Sequence, residues 1–121
     1  MIKFKSLNQS EHFLRILKKK RLNTKYFTIY FEKNLRSIKK NDKNFLNISF
    51  VIKKNIGNAV IRNKIKRKLK SAVQKVLKEK QLVDLNYTYV IFGRNSVYKD
   101  KFQLIFDEVN VMFKRIKQIA S

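Results

Sequence analysis

Cysteine does not occur in this chain, which excludes a disulfide framework and any thiolate metal site, cysteine-based zinc fingers included. Acidic residues are scarce. The eight present, Glu11, Glu32, Asp42, Glu79, Asp84, Asp100, Asp107 and Glu108, are scattered, whereas a two-metal nuclease needs several converging carboxylates. His12 is the single histidine; with no positioned partner it reads as a surface or packing residue and not as a general base. No catalytic residue is expected in the polypeptide. No apolar run reaches membrane-spanning length and the opening MIKFK lacks the apolar core of a signal peptide, so a soluble, cytoplasmic protein without a membrane partner is expected. Proline is also absent, lysine outnumbers arginine 23 to 7, and Asn, Ile and Phe are abundant. Codons rich in A and T produce that bias without selection on chemistry.

What is present is positive charge and enough apolar matter to fold around. Thirty Lys and Arg give a net charge of +22 over 121 residues, of which 44% are hydrophobic. That length suits one compact domain spanning 1–121. The charge repels itself and favours a partner dense in negative charge, nucleic acid first.

The charge is concentrated. Residues 62–70, RNKIKRKLK, carry six cations and no anion. As a helix the segment sets Asn63, Lys66, Arg67, Lys70 and Gln74 on one side and Ile65, Leu69, Ala72, Val73, Val76 and Leu77 on the other. One face buries while the other meets a polyanion.

Around this helix the periodicity alternates. Residues 8–20 read as a helix opened by an Asn8/Glu11 capping box, carrying Phe13, Leu14, Ile16 and Leu17 and ending in the basic run 18–21. Residues 25–33 form a strand with Phe27, Ile29 and Phe31 against Tyr26, Thr28 and Tyr30. The polar stretch 34–44 reads as a hairpin connection, and 45–52 as a second strand. Gly57 lies in the loop before the basic helix, where a positive φ or a close backbone approach is expected. That helix runs to about residue 80, a strand follows at 87–93, and residues 100–119 form a last helix with Phe102, Ile105, Phe106, Val109, Phe113 and Ile116 at core spacing.

The run KKNIGNAVIRNKIKRKLK at 53–70 combines a Lys pair, a Gly-Asn-Ala-Val loop, an Arg-Asn step and a Lys-Arg pair in fixed order, and it resembles the signature of the bacterial ribonuclease P protein family. Phe13, the strand from Lys25 to Tyr30 and the strand end at Val90, Ile91, Phe92, Gly93 and Arg94 resemble further landmarks. The resemblance implies an α+β sandwich of order α-β-β-β-α-β-α with a left-handed β-α-β crossover, contrary to the general right-handed preference. It implies a protein that assists a catalytic RNA in removing the 5′ leader from precursor tRNA, one protein per RNA, with Mg2+ at the RNA active site and no cofactor on the protein. By the same resemblance Lys53, Lys54, Arg62, Asn63, Lys64, Lys66, Arg67 and Lys70 face the RNA subunit, and Phe13, Leu17 and Tyr30 contact the leader, by stacking on bases where the side chain is aromatic. The chain departs from the pattern at Ile52, where a small residue is common, and at Lys64, Lys68, Lys70 and Ser71, where Arg or Glu is frequent. Lysine there keeps the charge and loses the bidentate fork.

The residues also leave other readings open. A structural basic protein of the ribosomal type needs the charge without this motif order. A protein-only nuclease would cut without an RNA subunit, and a membrane-surface protein would need an exposed apolar face beside the basic one.

Overall fold

A computed structural model of the chain describes residues 2–7, 10–34, 45–79 and 83–120. Its elements are β1 (Lys3–Lys5), α1 (Ser10–Ile16), β2 (Lys20–Asn23), β3 (Phe27–Lys33), β4 (Phe45–Val51), a 3-10 turn (Lys54–Ile56), α2 (Ala59–Glu79), β5 (Tyr87–Gly93), α3 (Ser96–Lys99) and α4 (Phe102–Ala120). The expected order α-β-β-β-α-β-α is there as α1, β2, β3, β4, α2, β5 and α4, with β1 and α3 added. Among the described residues no helix is long and apolar enough to cross a membrane.

The strands form one sheet in the order β1-β4-β5-β3-β2. β4 and β5 are neighbours and parallel, so α2 is the crossover helix of a β-α-β unit, while β3 pairs antiparallel with β5. Register puts Ile29, Ile91 and Phe50 in one cross-strand row and Phe31, Tyr89 and Ile48 in the next. Both rows are buried in the main core with Ile65, Leu69, Val73 and Val76 of α2 and Ile105, Val109, Phe113 and Ile116 of α4. The stripe read from the sequence is the stripe that packs. Tyr89 meets Phe113 edge-on at 5.1 Å and donates its hydroxyl proton to the Asp84 carbonyl, and burial pushes its phenol well above the ordinary range.

Alternation turns the other rows, Thr28-Phe92-Val51, Tyr30-Val90-Ser49 and Glu32-Thr88-Asn47, to the opposite face. α1 covers part of it. Ile16 and Val90 are fully buried yet lie outside the main cluster, a second, thin apolar layer. Glu32 anchors α1 there, accepting from Arg15 at 3.2 Å with His12 at 3.5 Å.

Several boundaries differ from expectation. α1 ends at Ile16, and Lys20 and Arg21 belong to β2, an edge strand with only Leu22 half-buried; its pairing with β3 left no apolar alternation to read. Leu17 falls just past α1, its N–H still donating to the Phe13 carbonyl at 3.3 Å. Tyr26 does not share the face of Thr28 and Tyr30: it precedes β3, is buried, and donates its hydroxyl to Asp100 at 2.6 Å. Gly57 has φ 165° and ψ −177°, extended backbone open to any residue. Its constraint is space, since a Cβ would stand 3.0 Å from Ile61 Cγ2. The last helix starts at Phe102, after the separate turn of α3. Asn8 of the capping box and residues 35–44 of the polar connection lie outside the described residues.

Candidate nucleic-acid interface

The basic helix is launched by Asn58, whose Oδ1 accepts the N–H of Ile61 at 3.0 Å as an N-cap. With Ile65, Leu69, Ala72, Val73 and Val76 buried, helical geometry forces Asn63, Lys66, Arg67, Lys70 and Gln74 outward, and all five are exposed. The acids that form ion pairs among the described residues are Glu32 and Asp100, and both are engaged away from this face. Lys66, Arg67 and Lys70 thus have no carboxylate partner among the described residues.

The other cations of the run divide by position. Arg62 is half-buried and donates from Nε to the Gly57 carbonyl at 3.2 Å, bracing the loop that carries Lys53 and Lys54, both exposed. Lys64 lies over the Tyr98 ring at 5.8 Å. Lys68 turns inward, donating to the carbonyls of Val97, Tyr98 and Asp100 at 3.0, 3.4 and 2.8 Å. Lys75 sits 4.5 Å from the centre of the Phe106 ring. One edge of α2 is therefore fastened to α3 and α4 through Lys68 and Lys75, while the outer face presents cations with no acid partner among the described residues.

On the opposite face of the sheet, Phe13 and Tyr30 are drawn together by a residue that sequence reasoning did not single out. Phe92 lies 6.3 Å from Phe13 and 5.7 Å from Tyr30, ring centre to ring centre. All three are half-buried, as is Leu17 at the end of α1. Cations surround the cluster. Lys53 is 5.9 Å from the Phe92 ring centre, Arg21 reaches the Tyr30 hydroxyl at 3.5 Å, and Arg94 donates to Thr28 Oγ1 at 2.9 Å, directly across from Phe92 in register. Alternation along β5 was the available signal for Phe92, but that strand is buried on both faces over most of its length, so its apolar run did not reveal which side each residue takes.

Three further acids have structural tasks. Asp84 Oδ1 accepts the N–H of Asn86 at 2.8 Å, Asp107 accepts from Gln103 at 2.9 Å, and Asp100 holds Tyr26 and Lys25. The arrangement can hold a polyanion on one wall and present ring faces, edged by cations, on another.

A family model described as Ribonuclease P matches residues 1–117. The chain is 29% identical over 119 residues to the ribonuclease P protein component of Carboxydothermus hydrogenoformans, covering 98% of this chain and 96% of that one. It is 34% identical over 89 residues to the corresponding component of Mesoplasma florum, covering 74% and 73%. Among solved structures it superposes on the RNase P protein of Thermotoga maritima in complex with 1-(4-fluorophenyl)-2-thiourea with a TM-score of 0.69 at 23% identity, over 90% of this chain and 97% of that one. The Staphylococcus aureus RNase P protein gives a TM-score of 0.66 at 20% identity, over 93% and 94%.

Proposed function

This chain belongs to the ribonuclease P protein family, and from that premise we propose that it holds a catalytic RNA and its precursor tRNA substrate together while the RNA cleaves the 5′ leader. Membership makes it a component of a tRNA-processing endoribonuclease with an RNA partner. The proposal assigns the surfaces. Lys53, Lys54, Arg62, Asn63, Lys64, Lys66, Arg67 and Lys70 take the RNA subunit, with Arg62 acting largely by fixing the loop. Phe13, Tyr30 and Phe92, with Leu17 beside them, take the single-stranded leader.

The observation that carries this reading is the Lys53–Phe92 contact, because it makes the Lys pair and the aromatic cluster neighbours. Cations on the outer face of α2 lower the repulsion between two polyanions, and each phosphate contact releases counterions. Rings in the cleft stack on leader bases without sequence preference, at roughly 1–3 kcal/mol per base. Mature tRNA lacks those bases, so substrate is held more tightly than product. The protein supplies no reacting group. Bond cleavage and its Mg2+ belong to the RNA, in a cytoplasmic particle with one protein per RNA.

The test compares the affinity of the reconstituted holoenzyme for precursor and mature tRNA. Preference for the precursor, reduced by Tyr30→Ala, is expected; equal affinities for the two would contradict the leader assignment. An Asn63→Ala, Arg67→Ala double variant separates this reading from a merely structural basic protein: processing should fall far more than bulk RNA binding.

A further inference from the structure

The edge of α2 that faces α3 and α4 forms one side of a groove. Lys64, Arg67, Lys68 and Ser71 recur at steps of three and four residues and share one helical stripe. With Tyr98 and Phe102 they line an open space of about 460 Å3. An ammonium has three protons to donate, and Lys68 directs its own at the three carbonyls of the 97–100 turn. Lys68 is thus a brace for that turn and not a free cation. Val97 is fully buried beneath it, so the Tyr98 side chain projects from a backbone held at several points.

Tyr98 is nevertheless 39% exposed. Its ring lies at the rim of a cationic surface with the Lys64 ammonium 5.8 Å from its centre and the unpaired Arg67 guanidinium lining the same groove. Phosphate binding alone requires cations and gives no use to a braced, solvent-facing ring. Stacking on a base requires such a ring, and a base inside a duplex has no free face to offer.

We infer that this groove takes one unpaired nucleotide of the RNA partner, its base on Tyr98 and its phosphate between Lys64 and Arg67. The inference rests on the assignment of α2 to the RNA subunit and sharpens it, adding an unstacked base to what would otherwise be a phosphate-only contact. Charge complementarity favours RNA over any protein occupant, because the groove offers cations and ring faces and no acid. Its volume falls within the range of small-ligand sites.

The experiment measures binding of the full chain and its Tyr98→Ala, Tyr98→Phe and Tyr98→Leu variants to the cognate RNA subunit over a salt series, with a perfect RNA duplex as second probe. Tyr98→Ala should weaken RNA-subunit affinity by about 5- to 150-fold, Tyr98→Phe should retain it, and duplex affinity and the salt slope should stay as in the wild type, since no phosphate contact is removed. If the alanine variant fails to fold, the Phe and Leu variants decide, being similar in bulk with and without a ring face. Equal RNA-subunit affinity for the ring-bearing and ring-less proteins overturns the stacked nucleotide and leaves the RNA-subunit surface standing. A wild-type protein that does not prefer the RNA subunit to duplex overturns both.

Discussion

The Lys53 ammonium lies 5.9 Å from the centre of the Phe92 ring, so a residue of the loop leading into the basic helix edges the aromatic cluster. Phe92 in turn touches both Phe13 and Tyr30, which makes it the hub of that cluster. Replacing Phe92 by Ala should cost about 1–3 kcal/mol of holoenzyme affinity for precursor tRNA and leave mature tRNA unaffected, as read by equilibrium binding of the two ligands in parallel.

The outer face of α2 predicts salt dependence. Lys66, Arg67 and Lys70 are exposed and without acid partners among the described residues. Each replacement by Gln should reduce the slope of log K against log salt by about 0.7–0.9 for the RNA subunit. Lys68→Gln should change the slope little and instead lower the melting temperature, because its ammonium serves backbone carbonyls.

Stability should respond to pH at both extremes through one hydrogen bond. Tyr26 donates to Asp100, and that bond, helped by Lys25, holds the Asp100 carboxyl below the usual carboxylate range. The folded chain then binds that proton less readily than the unfolded chain. This contribution is complete above the ordinary carboxylate value and is lost as pH falls through the lowered one. Tyr26 is the mirror case: the same bond first, then desolvation and nearby negative charge, push its phenol up to about 12. Its contribution is complete below the ordinary phenol value of about 10 and is lost as pH rises from there through the raised one. Absorbance titration should show a late phenol that moves toward the ordinary value in Asp100→Asn, and the acid limb of thermal stability should flatten in the same variant.

Gly93 closes β5 where the sheet meets α2. A Cβ there would stand 2.5 Å from Ile52 Cδ1 and 2.8 Å from Leu69 Cδ1. Gly93→Ala should destabilise by about 1–3 kcal/mol in denaturant unfolding through overpacking, and Ile52→Ala in the same chain should recover part of the loss. Ile52, the position where this chain departs from the small residue its resemblance suggests, is one of the side chains that fill that space.

The sequence carried the long elements because their periodicities are forced by burial. Ile65 to Val76 lie on one helical stripe, and Phe27, Ile29 and Phe31 alternate against a core, so the boundaries of α2 and β3 emerge within about two residues. Short edge elements left no such trace. Lys20, Arg21, Leu22 and Asn23 pair with β3 without an apolar alternation, and a basic tetrapeptide reads equally well as a helix end. The aromatic cluster was half legible: the resemblance named Phe13 and Tyr30, but Phe92 sits in an apolar run buried on both sides, and its partnership with Lys53 depends on a loop geometry that no local pattern encodes. Likewise nothing in the spacing of Lys64, Lys66, Lys68 and Lys70 tells which ammonium turns inward. Only the position of the 97–100 turn decides that Lys68 does.

The most direct measurement is the single-turnover cleavage rate of precursor tRNA at low Mg2+ by the RNA subunit alone, by the protein alone and by the two together. The account predicts a slow rate for the RNA, none for the protein, and a large gain on mixing that shrinks as Mg2+ is raised. Cleavage by the purified protein without RNA, or an RNA rate unchanged by adding it, would contradict the account.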